Sequence, residues 1–513
     1  MSVATVEDIL IEEGAPRVRF ATRERRGALL GLSFGQLAVI GFVAAVLLGT
    51  LLIGLSVFWM ALVPCIVIFA LGVGRYRREP VLLIIWQAIR YGRRALTGQT
   101  RFRRDVWMRV AAASLKVGTA RIQAATPVVA SKFLLPGALG DVHVVQIPGA
   151  GAYIYNAKGS LATVTISVQS QAWSLRDKGT QEGAYEGFVE WLSSLESMPG
   201  LVEAVTRIRI DRASTTEMLD YLQAREDEFA PQVTNQLRRE YFQLITASSK
   251  RSMGFSNHVT LVFSTQKLNA AIRDSGGGML GLASVLKERI AGLEHSMEHA
   301  RVRLDSWLDA AALNTMMAAA TDPVAAAHRR EGESARRDAL HVNPAIMGVD
   351  EQWDALRIDE SWHQTFWISE WPRTEVSTGF LEPLLYAGDA TRVITLQVRP
   401  VPIHKALSQV NRAQADMETA ADIRLRLQAR TTRAHDREAE DLAERERDLV
   451  DGFGDVQFRG FVTISAESKD ALAKARTDLE AAAQPARVNL VAMYGQQAAA
   501  FVTAVLPVAV EGH

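Results

Sequence analysis

ALLGLSFGQLAVIGFVAAVLLGTLLIGLSVFWMALVPCIVIFALGVG, residues 28–74, runs for 47 positions without an Asp, Glu, Lys or Arg. As one helix it would extend about 70 Å, over twice the ~30 Å hydrocarbon core of a bilayer. Folded once, it makes two spans of roughly 20 residues, since backbone at membrane depth must satisfy its own hydrogen bonds as helix. The bend is expected near Gly54-Leu55-Ser56, with Trp59 at the far interface. Arg23, Arg25 and Arg26 lie before the run and Arg75, Arg77 and Arg78 after it, which by the positive-inside rule makes both ends cytoplasmic. A buried helical hairpin in a soluble core is the bland alternative. Everything downstream is then a large cytoplasmic body hung from a membrane hairpin, with residues 1–27 as a short extended arm.

With 513 residues the chain has room for more than one domain. Its formal charge is zero but unevenly placed: residues 75–104 carry nine Arg and one Glu, which leaves the remainder from 105 onward net acidic. An acidic body is the opposite of what a phosphate-binding surface needs. The one cysteine, Cys65, lies in the apolar run, so the chain can form no internal disulfide or cysteine metal cluster. Pro80 opens Val81-Leu-Leu-Ile-Ile-Trp86, followed by Arg90, Tyr91, Arg93 and Arg94. Pro at a first turn, with Trp, Tyr and Arg suited to headgroups, reads as an interfacial helix on the inner leaflet. Arg75, Arg77, Arg78, Trp86, Arg93 and Arg94 are its candidate lipid contacts.

From Asp105 the pattern becomes α+β. Strands are expected at Val142–Ile147, Tyr153–Tyr155, Leu161–Val168, Ala204–Ile210 and His258–Phe263. Helices are expected at Tyr185–Leu195, over Thr215–Ser249 with a break at Pro231, and from Gly276 to about Ala320. The same order then recurs: strand Thr365–Ser369, short helix Gly379–Tyr386, strand Arg392–Val398, long helical stretch Lys405–Val450, strand Phe458–Ile464, helix Lys469–Ala483 and strand Val488–Met493. The two passages are offset by roughly 200 residues, and each matches a ferredoxin-like β-α-β-β-α-β plan interrupted by a helical hairpin. The expected organisation is an arm (1–27), a two-helix transmembrane hairpin (28–74), a basic interfacial helix (75–104), a first α+β half (105–321), a linker (322–359) and a second half (360–513). The alternating charges of Arg424–Asp451 suit a solvated helix. The functional alternative is an arm that docks a neighbour through Arg424, Leu427, Leu442 and Leu449.

Candidate chemistry is weak. Gly276-Gly-Gly278-Met-Leu-Gly281 spells G-x-G-x-x-G, but the preceding strand ends more than ten residues earlier, so a flexible loop is expected. His295-Ser-Met-Glu298-His299 spells H-x-x-E-H on a helix, which could hold zinc with Glu298 as base. Ile290, Leu293, Met297 and Leu304 form the expected buried stripe, leaving both histidines on its wetter flank without a third ligand. Trp353, Trp362, Phe366, Trp367 and Trp371 could stack on bases but fit a core and domain seam better. Neither a G-x-x-x-x-G-K-[ST] phosphate cradle nor a G-x-S-x-G elbow is present, so no catalytic residue, metal or cofactor is expected.

Ala21-Thr-Arg-Glu-Arg-Arg-Gly27, Leu32-Ser-Phe-Gly-Gln36-Leu and the Arg-rich exit with Trp86 resemble the PrgI family of two-span proteins from conjugation-type (type IV) secretion systems. Phe366-Trp-Ile-Ser-Glu-Trp-Pro372, Gly379-Phe-Leu-Glu-Pro-Leu-Leu385, Asp448-Leu-Val-Asp-Gly452, Val491-Ala-Met-Tyr-Gly495-Gln496-Gln-Ala-Ala-Ala-Phe501 and Leu506-Pro507 resemble the non-catalytic amino-terminal region of the conjugation ATPase. The layout resembles an actinobacterial fusion of the two that stops where a nucleotide-binding domain should begin. That resemblance implies a non-enzymatic scaffold in the bacterial inner (plasma) membrane, both termini and body cytoplasmic. Its implied partners are membrane lipid, a separate P-loop ATPase, other secretion components and copies of itself. Two rivals stand beside it: a membrane-tethered nucleic-acid binder using the Arg collar, and a zinc hydrolase using His295 and His299.

Overall fold

The computed structural model describes residues 17–18, 34–76, 79–104, 128–133, 142–170, 177–212, 236–237, 239–241, 243–244, 253–299, 302–331, 346–372, 376–377, 379–426, 433–450 and 455–509. Two helices, α1 (Phe34–Ile53) and α2 (Leu55–Val73), fold against each other with their bend at Gly54, inside the expected segment. Gly54 has φ 155° and ψ 153°, a conformation that a Cβ would strain. At Gly72 a Cβ would stand 2.4 Å from Val39 Cγ1, so the helices approach closely here because no side chain intervenes. Leu48, Leu52, Leu55, Trp59, Met60 and Val63 point outward and are exposed. Among the described residues no helix is long and apolar enough to cross a membrane. The helices α1 and α2 are 20 and 19 residues long, about 30 Å each.

Beyond Gly74, Arg75–Tyr76 pairs antiparallel with Glu79–Pro80, and this tight reversal leads into α3 (Val81–Leu96). The body then carries strands β1 (Arg101–Arg103), β2 (Val128–Phe133), β3 (Val142–Gln146), β4 (Ala152–Asn156) and β5 (Leu161–Ser170). Helix α4 (Lys178–Ser197) leads to β6 (Leu201–Arg212) and β7 (Met253–Ser264), and α5 (Asn269–Asp274) and α6 (Gly278–His299) to β8 (Val302–Trp307). Helices α7 (Ala310–Thr321) and α8 (Pro323–Glu331) precede β9 (Gly348–Glu351), β10 (Leu356–Ile358) and β11 (Ser361–Glu370). The short α9 (Glu382–Leu385), β12 (Thr391–Val401), α10 (Ile403–Arg426) and α11 (Arg433–Val450) come next. The chain closes on β13 (Asp455–Ala466), α12 (Lys469–Ala483), β14 (Asn489–Ala492) and α13 (Gln497–Val505).

These fourteen strands form one sheet, in which β8-β5-β7-β6 and β14-β11-β13-β12 repeat the same order. In each set the first and third strands pair at the centre, which is the strand arrangement of a β-α-β-β-α-β unit. The offset is explicit: β5 begins at Leu161 and β11 at Ser361, 200 residues on. The two sets join edge to edge where β6 runs antiparallel to β12, from Ala204 opposite Val398 to Ile210 opposite Arg392.

Strand alternation assigns the two faces. Leu261, Phe263, Val164 and Ile166 pack under Trp191 and Leu195 of α4 and Leu282 and Leu286 of α6. Phe366, Ile394 and Val462 on the same face pack under Leu472 and Leu479 of α12. The opposite face carries Val393 and Phe461 beneath Leu313 and Met317 of α7 and Phe501 and Val505 of α13. That second face is rich in buried threonine, whose hydroxyls pair with one another (Thr165 with Thr260 at 3.2 Å, Thr365 with Thr463 at 3.0 Å).

Two expectations change, and one further element comes to light. The helical region from Gly276 to Ala320 is broken by β8, whose Val302-Arg-Leu-Asp-Ser-Trp alternates as a half-exposed strand pairing with β5. Residues 322–359 hold α8 and the β9–β10 hairpin, which extends the sheet from β11. The apolar stretch after β14 forms α13, which covers the sheet. Most of Thr215–Ser249 lies outside the described residues, as does nearly all of the amino-terminal arm, of which Arg17–Val18 pairs with Val376–Ser377.

Candidate functional site

The most elaborate polar junction joins α3 to the body. Tyr91 and Arg94, one turn apart on α3, face β9 and the loop before α13. The Tyr91 hydroxyl donates to the Glu351 carbonyl at 3.2 Å. The Arg94 guanidinium donates from Nη1 to Glu351 Oε2 at 2.9 Å and from Nη2 to the Gly495 carbonyl. Trp353 completes the joint, edge-on to Tyr91 at 5.4 Å and stacked on Tyr494 at 6.0 Å. Gly495 has φ 66°, and a Cβ there would lie 2.7 Å from the Trp353 ring. Only glycine allows the loop this close. Burial, then the negative charges of Glu351 and Asp350, push the Tyr91 phenol above its ordinary pKa.

Glu351 also reaches inward. Its Oε1 accepts from the Ala498 amide at 3.1 Å, in the first turn of α13. Amides at a helix N-terminus lack partners within the helix, and a carboxylate there also suits the helix dipole. The other end of α13 is closed by Arg207 of β6. Its Nε donates to the Ala504 carbonyl at 2.9 Å and its Nη2 to that of Leu506 at 2.8 Å, while Nη1 donates to Thr260 Oγ1 at 2.8 Å. Burial lowers the Arg207 pKa to about 10, opposed by nearby Glu203, so the guanidinium remains charged at neutral pH and satisfies carbonyls at the negative end of the helix. Thr395 of β12 donates to the same Ala504 carbonyl at 2.6 Å. One short helix thus links the Arg94–Glu351 pair, between α3 and β9, to a strand of the first half.

Next to Arg207, Glu203 Oε2 accepts from Gln397 Nε2 at 2.8 Å and Arg399 Nε at 2.9 Å, across the β6–β12 seam. Asn156 Nδ2 donates to the Ala509 carbonyl at 3.1 Å, tying the tail after α13 to the first half. His363 on β11 is fully buried between Ser465 Oγ at 2.8 Å and the Thr321 carbonyl at 3.0 Å. A carbonyl only accepts, so Nε2 carries the proton; burial pushes the imidazole pKa down to about 3. Glu203, Arg207, Gln397 and Arg399 line a small pocket bounded by Thr503 and Ala509; the contacts of these groups and of His363 join strands, helix ends and the tail to one another.

The expected site residues separate. Trp86 and Arg93 are exposed on α3, whereas Arg94 is turned into the body. The side chains of Arg75, Arg77 and Arg78 lie outside the described residues. On the helical arm, α10 and α11 pack together, with Leu449 buried and Leu442 half-buried against Val401, Ala406 and Val410 at its base. Arg424 lies on α10 with its side chain outside the described residues, and Leu427 lies wholly outside them. His295, Glu298 and His299 sit on α6, their side chains likewise outside; Ile290, Leu293 and Met297 are buried as expected. Among the described residues no three His, Cys, Asp or Glu side chains cluster as a metal site. Gly276, Gly277 and Gly278 all have positive φ in a turn between α5 and α6, and β7 does not lead directly into it, so this is not a dinucleotide loop. Phe366 is core, and Trp371 packs edge-on against Phe458. Sequence reasoning did not single out Glu351 or Arg207; the signal for Arg207 was a charged residue at an inward position of the alternating strand Val205-Thr-Arg-Ile-Arg209.

Residues 256–368, from β7 through nearly all of β11, match the family model described as "Putative type VII ESX secretion system translocon, EccE". A comparison with curated proteins returns no match. The family match corrects the resemblance drawn from sequence: the similarity is to a type VII translocon component and not to PrgI or the type IV conjugation ATPase. The physical reason is visible in the motifs that carried it. Phe366, Phe501 and Leu506 are buried core positions and Gly495 a tight approach, so they report packing of this sheet rather than kinship with an ATPase.

Proposed function

We propose that this chain is a non-enzymatic component of a type VII (ESX) secretion translocon, held in the cytoplasmic membrane by the α1–α2 hairpin. The observation that carries the reading is the match over residues 256–368, which spans the passage from the first half of the sheet into the second. The hairpin supports the membrane part: two helices of about 30 Å, free of charged residues, present exposed Leu, Met, Trp and Val on their outer surfaces. The arginines at both ends of the run set the termini and the body on the cytoplasmic side. The partners are other components of the ESX translocon in the same membrane; the α10–α11 arm and the sheet edges are surfaces through which the body engages them and further copies of itself. A cytoplasmic P-loop ATPase remains one candidate among those components. Affinity purification of the tagged full chain from detergent-solubilised membranes, followed by mass spectrometry, tests this. Recovery of other ESX components is the expected result; recovery of the chain alone refutes the reading.

A further inference from the structure

On the side of α3 away from the Tyr91–Arg94 joint, Trp86, Ile89, Arg93 and Leu96 follow at intervals of three, four and three residues, one stripe along a helix. All four are exposed, Leu96 at 91%, and exposed Arg90 lies beside them. An exposed apolar stripe flanked by cations is out of place in water. Resting on the proposed membrane hairpin, we infer that this stripe lies on the anionic headgroup layer of the same bilayer, Trp86, Ile89 and Leu96 entering the acyl boundary while Arg90 and Arg93 meet lipid phosphate. Two observations select this occupant. The Val81 amide donates to the Gly74 carbonyl at 3.0 Å, so α3 starts where α2 ends, at the membrane surface. Three apolar side chains share the stripe with Arg93, which matches a headgroup–acyl boundary; nucleic acid offers phosphate and stacking bases but no apolar layer for Ile89 and Leu96. Because the opposite side of α3 is fixed to Glu351 and Gly495, the second half of the body is the membrane-proximal one.

The single cysteine makes the test direct. In a Cys65→Ser background, nitroxide labels are placed at Trp86→Cys and Ile89→Cys, with exposed Lys474→Cys on α12 as reference. The full chain is reconstituted into vesicles of phosphatidylcholine with or without phosphatidylglycerol. Labels at 86 and 89 are expected to lose collisions with a water-soluble nickel chelate and keep those with oxygen, while the label at 474 keeps both. Arg90→Glu with Arg93→Glu is expected to restore chelate access in phosphatidylglycerol vesicles. Labels at 86 and 89 as chelate-accessible as 474, in chain that resists alkaline extraction, would overturn the inference and leave the hairpin standing. Extraction of the chain by alkali would overturn the hairpin and this inference with it. Protection by added duplex DNA instead of by vesicles would assign the stripe to nucleic acid and also overturn it.

Discussion

Breaking the Arg94–Glu351 pair should loosen α3 from the body without unfolding either. Glu351 is nearly inaccessible, its side chain 2% exposed, and Arg94 is 30% exposed, with 2.9 Å between the bonded atoms. Charges about 4 Å apart in surroundings of effective dielectric near 20 attract by about 4 kcal/mol. Desolvating the carboxylate offsets part of this and leaves a coupling of about 2 kcal/mol. Glu351→Gln keeps a carbonyl oxygen for the Ala498 amide but turns its NH2 toward Arg94, so it removes the charge together with the hydrogen bond from Arg94 Nη1. Opening of the joint should therefore become roughly thirtyfold more frequent, read as faster amide hydrogen exchange over residues 90–96 in the full chain. Arg94→Ala, and the two changes combined, complete a double-mutant cycle. The pair is a real joint if the double variant differs from the sum of the singles by that coupling; additivity within about 0.5 kcal/mol, or exchange over 90–96 no faster than in the parent, would refute the argument.

His363 predicts acid sensitivity. Its folded pKa of about 3 lies below the ordinary 6.5, so its contribution is complete above 6.5 and is lost as pH falls toward 3, reaching about 2 kcal/mol at pH 5. In His363→Gln, denaturant titrations across that window should show a shallower fall in stability with acid than the parent; an unchanged slope would remove His363 from the account. Arg207→Ala should cost about 3 kcal/mol by leaving the Leu506 carbonyl buried without its Arg207 donor and the Ala504 carbonyl with Thr395 in place of two donors, seen as a lowered unfolding midpoint. Gly72→Leu should push α2 off Val39 and lower the yield of folded chain in detergent, whereas the same change at Gly92, which has open space, should not.

The amino-acid pattern showed the duplication and the hairpin because both rest on local signals. Period-two runs such as Leu161–Val168, the uncharged stretch from Ala28 and the helix Lys469–Ala483, which forms with those bounds, depend on neighbours in sequence. What stayed hidden depends on tertiary context. Val302–Trp307 is too short and too exposed for its alternation to stand out after a long helix, and Gln497–Val505 is apolar on most sides because it packs between the sheet and the tail. The edge-to-edge joining of β6 to β12 leaves no local mark, since an edge strand and a central strand can carry the same alternation. Arg94 illustrates the limit for the site: grouped in sequence with the exposed Arg90 and Arg93, it is turned by helical phase toward Glu351.

The most direct measurement is native electrophoresis of gently solubilised membranes, comparing the full chain with a variant lacking residues 28–74. The full chain should migrate in a large complex that contains other secretion components, and the shortened variant should leave both the complex and the membrane. A full chain that runs alone, or that remains in the aqueous fraction without detergent, would contradict the account.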